Sequence, residues 1–238
     1  MSEAASQPLF RDDAYLRECQ ARVAAVRDDG VVLDRTVFYP LGGGQPGDTG
    51  VLRLPDGREI AVTDTRRDRE TGEIVHACDA APLRAGDAVD AIIDWERRHR
   101  LMRVHTCLHL LSAVITAPVT GGQVGDGYGR LDFDLPETPD AKTVEAELNA
   151  LIERDHAVHF RWITDAELDA RPELVKTMSV QPPRGLGRVR LVDVEGIDLQ
   201  PCGGTHVART GEIGAVRVAK IDKKGRQNRR VRIELLQH

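Results

Sequence analysis

The spacing of apolar residues changes character at Asp94, and this change restricts the folds open to the chain more than any other feature. Residues 1–93 read as short strands cut by turns. Arg22–Val26 and Val31–Phe38 flank Asp28-Asp29-Gly30, a hairpin signal. Short apolar runs follow at Val51–Leu54, Glu59–Val62, Glu73–His76 and Ala88–Ile93, separated by Pro55-Asp56-Gly57, Thr71-Gly72 and Ala85-Gly86-Asp87. Regular spacing of this kind predicts a small barrel or sandwich. From Asp94 the period lengthens. Asp94 is a candidate N-cap, and Glu96 lies in the first turn, where the helix dipole favours an acid. Leu101, Val104, Leu108, Leu111 and Ile115 then recur at three and four residues until Pro118.

Beyond this helix comes a Gly-rich loop, Gly121–Gly129, then an alternating strand at Leu131–Leu135. Thr138-Pro139-Asp140 starts a second helix with Pro at its first position, and Val144, Leu148, Leu151 and Ile152 form its apolar face. Val158, Phe160 and Trp162 alternate as a strand. Thr164 and Glu167 make a capping box. Val189–Val194, Ile213–Ile221 and Arg230–Leu236 are further strands. The order predicts an α+β domain with a mainly antiparallel sheet and a long central helix, and a domain boundary near 94–97.

The central helix carries His105-Thr106-Cys107-Leu108-His109. A spacing of four puts both imidazoles on one face, a turn apart, where two nitrogens can meet one metal ion. Cys202 and His206 are again four apart, in a segment made pliable by Gly203 and Gly204. Three imidazoles and a thiolate suit zinc. Either pair alone is a weak signal, and the competing reading is two core histidines and an unrelated loop thiol. The zinc peptidase motif His-Glu-x-x-His does not fit, because Thr106 stands where the glutamate would be. Thr106 and Asp198 are candidates to hold a metal-bound histidine from behind. Cys107, two residues from either histidine, reads as a small core residue.

Net charge is −5, but the charge is unevenly spread. Arg217, Lys220, Lys223, Lys224, Arg226, Arg229, Arg230 and Arg232 face a single acid, Asp222, within residues 217–232. Arg97, Arg98, Arg100 and Arg103 open the central helix. Such stripes suggest phosphate docking, with a solvated face as the alternative. The four cysteines have no framework spacing, which points to reduced thiols or metal ligands. No run is long enough for a membrane span, and the polar, acidic N-terminus does not read as a signal peptide, so a cytoplasmic protein is expected.

Six segments in one order resemble the free-standing alanyl-tRNA editing proteins, the AlaX group, and the editing domain of alanyl-tRNA synthetase. They are Phe-Tyr-Pro-Leu-Gly-Gly-Gly-Gln-Pro-Gly-Asp-Thr-Gly at 38–50, Arg-Leu-Met-Arg-Val-His-Thr-Cys-Leu-His-Leu-Leu at 100–111 and Gly-Arg-Leu-Asp-Phe at 129–133. Cys-Gly-Gly-Thr-His at 202–206, Arg-Thr-Gly-Glu-Ile-Gly at 209–214 and Lys-Lys-Gly-Arg-Gln-Asn-Arg-Arg-Val at 223–231 complete the series. The resemblance implies a small β-barrel domain with the Gly-rich motif over 1–94 and a zinc-containing editing domain over 95–238. It implies metal ligands at His105, His109, Cys202 and His206. The Gly-rich segment is a mark of the medium-length members. None of these segments belongs to the synthetase's aminoacylation domain, so ligase activity is not implied.

The implied activity is zinc-dependent hydrolysis of the aminoacyl ester of mischarged tRNA(Ala), chiefly seryl-tRNA(Ala), with glycyl-tRNA(Ala) a further candidate. The catalytic group would be a zinc-bound water, with no protein base evident. Thr106, Gln123 and Asp126 are candidate readers of a substrate hydroxyl. Gly43, Gly44 and Gln45 lie in a segment that lacks the Lys and following helix of a phosphate loop. Glycine there would let backbone N–H groups approach a ligand, and the competing reading is a plain turn. Lys223, Lys224, Arg226, Arg229 and Arg230 are candidate tRNA contacts. A zinc-stabilised tRNA-binding module without catalysis is the alternative function.

Overall fold

The computed structural model describes residues 6–177 and 187–236. The chain forms two compact units, Met1–His99 and Arg100–His238, of mixed α and β structure with mainly antiparallel sheets. Among the described residues, no helix is long and apolar enough to cross a membrane.

The strands of the first unit are β1 Gln7–Pro8, β2 Glu18–Arg27, β3 Gly30–Leu33, β4 Arg35–Thr36, β5 Gly50–Arg53, β6 Glu59–Val62, β7 Asp64–Arg67, β8 Ile74–Ala77 and β9 Ala88–Ile93. Seven form one sheet in the order β6-β5-β9-β2-β3-β8-β7, and β1 pairs with β4 in parallel. The predicted hairpin is present, with Arg27 opposite Gly30. The predicted barrel does not close. Only Thr63 separates the two edge strands β6 and β7, so the chain passes straight from one into the other and leaves no turn to lay them side by side. A barrel needs every edge paired. The inner face buries Val23, Val31, Leu33, Phe38, Leu52, Val62 and Ala91.

The Gly-rich stretch has a structural task in this unit. A Cβ on Gly47 would stand 1.9 Å from the Thr65 carbonyl oxygen, and one on Gly50 2.1 Å from that of Ile92, so only glycine admits these backbone contacts. Between them, Asp48 accepts the Tyr39 N–H at 2.6 Å and binds the Arg98 guanidinium, whose Nε lies 2.9 Å from Oδ2. Arg98 also donates to the carbonyls of Ala14 (3.0 Å) and Val37 (2.7 Å) and is fully buried. The arginine cluster at the helix start is thus committed internally. Arg97 donates to the Gly47 carbonyl at 2.8 Å, Arg100 pairs with Asp126 at 2.5 Å, and Arg103 donates to the Ile213 carbonyl at 2.8 Å. Of the four, Arg98 is closed to phosphate by burial, while Arg97, Arg100 and Arg103 are part-exposed beside their internal partners.

His76 on β8 is fully buried, with Nε2 2.7 Å from the Thr36 hydroxyl and Nδ1 3.2 Å from the Val31 carbonyl. Burial lowers its pKa to about 4, from 6.5. As pH falls from about 6.5 to about 4 the unfolded chain takes up a proton that the folded protein refuses. Stability is therefore fully present above that window and falls by about 3 kcal/mol across it. Urea midpoints at pH 7 and pH 4.5 should differ by less in His76→Gln than in the natural protein. An equal drop in both would assign the acid sensitivity elsewhere.

Helix α1, Trp95–Val114, opens as the sequence predicts: the Asp94 carboxylate accepts the Arg97 N–H at 3.1 Å. The second unit adds β10 Val119–Val124, β11 Tyr128–Asp134, α2 Ala141–Glu153, β12 Val158–Ile163, α3 Asp165–Asp169, β13 Val189–Val194, β14 Asp198–Pro201, β15 Val216–Lys223 and β16 Asn228–Leu235. One antiparallel sheet runs β10-β11-β16-β15, another β12-β13-β14. Gly121 and Gly122, expected in a loop, lie in β10 opposite Asp132 and Leu131. At α2 the cap is Asp140, whose side chain accepts the Thr143 N–H, so Pro139 precedes the cap instead of opening the helix. Ile213 closes a short 3-10 turn before β15 begins. Buried Leu101, Met102, Leu110, Leu111, Phe133, Leu148, Val192 and Val194 make up much of this unit's core.

Candidate metal centre

From Leu101 to Ser112 only Arg103 escapes burial, so α1 is enclosed on all sides there and not along one stripe alone. Each polar side chain on that stretch therefore requires a partner. Those partners build the site. His105 Nε2 lies 3.5 Å from the Cys202 Sγ, and His206 Nε2 lies 3.3 Å from the same sulfur. One ligand atom from each of His105, His109, Cys202 and His206 falls within 4.8 Å of the others. The rings of His105 and His206 are 4.3 Å apart, and those of His109 and His206 4.6 Å.

The outer nitrogens are held from behind. His109 Nδ1 donates to Asp198 Oδ2 at 2.8 Å, and Asp198 Oδ1 accepts Lys176 Nζ at 2.5 Å. His206 Nδ1 lies 3.1 Å from the Thr106 hydroxyl, which also accepts the Val207 N–H at 3.2 Å. These bonds occupy Nδ1 and leave each Nε2 lone pair for a common centre, the arrangement that fixes a metal-binding tautomer. Arg190 Nη1 donates to the carbonyls of Cys202 (3.0 Å) and Gly204 (2.9 Å), which holds the pliable loop in place.

The donors differ in their electrostatics. Burial alone would raise the Cys202 thiol, but the imidazoles around it, His105 first among them, hold it well below the usual thiol range. Burial and the neighbouring His105 push His206 well down, so it stays neutral. Burial opposes ionisation of Asp198, yet its bonds to His109 and Lys176 lower it to about 2. Burial would lower His109, but its bonds to Asp198 and Cys202 raise it to about 9, so an ion binding there must displace its proton. The three nitrogens and one sulfur fit zinc in residue type and mutual distance. Cys107 is different: burial raises its thiol to about 12, and it is a core residue, as its position on the helix predicts.

The other predicted residues fall in several places. Thr106 and Asp198 join the metal group as described. Gln123 is exposed on β10 and accepts from Arg130 at 3.3 Å, while Asp126, in the β10–β11 turn, is exposed and paired with Arg100. Gly43, Gly44 and Gln45 belong to the first unit. Gly42 and Gln45 bond each other's backbone across this turn, at 2.9 and 3.1 Å. Lys223, Lys224 and Arg226 are exposed at the tip of the β15–β16 hairpin. Arg229 is turned inward, donating to Thr138 Oγ1 at 3.0 Å and to the Gly225 carbonyl at 3.1 Å, and Arg230 binds Asp132 at 2.7 Å. Lys176, Arg190 and Gln200 were not foreseen. Gln200, bonded to Asp198 and Ser112, sits on β14, a strand too short and polar to show as periodicity. A positively charged residue inside the apolar run Val189–Val194 was the one visible signal for Arg190.

Removing Asp198 tests this support. Asp198→Ala should lower zinc affinity about 10- to 100-fold, the usual cost of losing a carboxylate behind a metal histidine. Competition with a chromogenic chelator would measure it. Unchanged affinity would mean that Asp198 serves only Lys176.

Comparison with known proteins agrees with this geometry. A family model described as the threonyl and alanyl tRNA synthetase second additional domain matches residues 189–232, and one described as class II (A) tRNA synthetases matches residues 10–97. The alanyl-tRNA editing protein AlaX-M of Methanosarcina acetivorans is 40% identical over 97% of this chain and 99% of its own length. That of Saccharolobus solfataricus is 35% identical over 95% and 97%. The alanine–tRNA ligase of Sulfurisphaera tokodaii is 33% identical over 92% of this chain, but over only 25% of its own length. Near-full-length identity to the free-standing proteins, with the four candidate ligands gathered in one place, makes this chain a member of the AlaX-M family of alanyl-tRNA editing proteins.

Proposed function

We propose that the protein hydrolyses the aminoacyl ester of mischarged tRNA(Ala) in trans, chiefly seryl-tRNA(Ala) and secondarily glycyl-tRNA(Ala), with zinc held by His105, His109, Cys202 and His206. The observation that carries this reading is the convergence of those four ligand atoms within 4.8 Å in a chain of this family. Zinc there would supply Lewis acidity toward the ester carbonyl. The chain's own residues do the rest. Asp198 and Thr106 orient the imidazoles, and Arg190 holds the Cys202 loop. Sparing alanyl-tRNA(Ala) requires a group that hydrogen-bonds the serine hydroxyl, because a site so built rejects the analogue lacking it by about 10⁴-fold or more. Of the three candidates, Thr106 is the one whose hydroxyl touches the metal group, with Gln123 and Asp126 as further candidates. Lys223, Lys224 and Arg226 would meet tRNA phosphates, a contact that weakens with salt. Arg229 and Arg230 would instead keep their hairpin in shape.

The test is release of amino acid from seryl-tRNA(Ala) and alanyl-tRNA(Ala), with and without a zinc chelator. Loss of serine with alanine spared, abolished by chelation while the fold persists, is the expected result. Tight tRNA binding without release, and unfolding on chelation, would instead make the centre a structural staple.

A further inference from the structure

Phe160 and Trp162, read from the sequence as alternating strand residues, are both exposed, at 36% and 40%. They stand two apart on β12, an edge strand, and so project to the same side, about 7 Å apart along the strand. An arginine covers each ring: Arg188 lies 4.4 Å from the Trp162 centroid and Arg190 3.7 Å from that of Phe160. Arg190 is buried and also holds the Cys202 and Gly204 carbonyls. The Phe160 ring lies 6.5 Å from that of His206. The two part-exposed rings with their arginines thus form a strip of surface that ends beside the metal group.

A ligand for that surface must be flat, anionic and continuous with a group at the metal. Unpaired nucleotides meet all three requirements. Their bases stack on aromatic rings and arginine planes, and their phosphates meet cations. A duplex does not, because its base faces are already stacked inside the helix. We propose that Phe160 and Trp162 form a stacking platform for the unpaired 3′-terminal bases of the tRNA, whose aminoacylated end reaches the metal group. The inference rests on the function proposed above.

Two measurements decide it. Trp162 and Trp95 are the only tryptophans. In a Trp95→Phe background the emission of Trp162 should change saturably with a single-stranded RNA ending in CCA, and not with a blunt duplex. No response to either RNA, or an equal response to both, overturns the platform. In deacylation of seryl-tRNA(Ala), Trp162→Ala and Phe160→Ala should raise KM about ten- to a hundredfold, the usual effect of losing one stacked base, with kcat little changed. Trp162→Phe should restore most of the loss, and Tyr128→Ala, an exposed aromatic on β11, should have none. Unchanged KM in both alanine variants, with normal zinc content, also overturns the platform while leaving the hydrolase reading intact. If the natural protein releases no amino acid, that reading fails, and the emission titration still decides whether the platform binds unpaired RNA.

Discussion

Cys202→Ser is expected to remove zinc and nearly all deacylation without unfolding the protein. The substitution keeps the size of the side chain and replaces a soft thiolate donor by a hydroxyl that does not ionise at neutral pH. Cys202 is only partly buried, and the second unit's core is built from Leu101, Leu110, Leu111, Phe133 and Val192, so no cavity opens in it. Losing a Lewis acid withdraws several kcal/mol from the transition state. At about 1.4 kcal/mol per factor of ten, this is on the order of a 10³-fold loss of kcat/KM. Metal analysis, circular dichroism and deacylation on one preparation would read all three consequences. Retention of zinc and activity would exclude Cys202 as a ligand. Loss of the folded signal along with the metal would support the structural alternative.

Much of this site was legible because its chemistry sits in short-range patterns. His105 and His109 are bound by helical period alone, and Cys202 and His206 by spacing in a flexible segment. Asp94, Thr164 and Glu167 behaved as their local capping rules predict, because a cap depends on three or four neighbouring residues. The failures all depend on what lies opposite in space. The barrel expectation counted strands correctly in kind, but closure depends on which edges meet, and Thr63 is too short a link to let β6 and β7 pair. Phe160 and Trp162 lie in a strand, as their alternation predicts, but alternation alone does not say which face is covered. The arginines at the start of α1 read as a phosphate stripe, but they have internal acceptors 26 to 110 residues away. Likewise Arg229 and Arg230 read as surface cations, but their acceptors Thr138 and Asp132 lie more than 90 residues away.

Arg98 shows how far such a residue can differ from its appearance in sequence, and its removal should give the largest loss of stability. Its guanidinium is fully buried, and Asp48 is 1% exposed. Arg98→Met keeps most of the aliphatic stem and deletes the charge. The Asp48 carboxylate then loses its counter-ion in the interior, and the carbonyls of Ala14 and Val37 lose their donor. Breaking a buried pair from one side costs about 3–5 kcal/mol, because the remaining charge is desolvated and unmatched. Asp48→Asn with Arg98 intact should cost a comparable amount, since it strands the guanidinium instead. The double variant Asp48→Asn, Arg98→Met should be less damaging than the sum of the two, because it leaves neither charge alone. Urea denaturation of the three variants would measure this. Additive losses would mean that the two side chains act separately and that the Gly-rich stretch is not pinned to the helix start through their contact. A strong coupling would explain why an acid stands between Gly47 and Gly50: those glycines bring the backbone of the stretch against Thr65 and Ile92, and Asp48 fastens it there to Arg98.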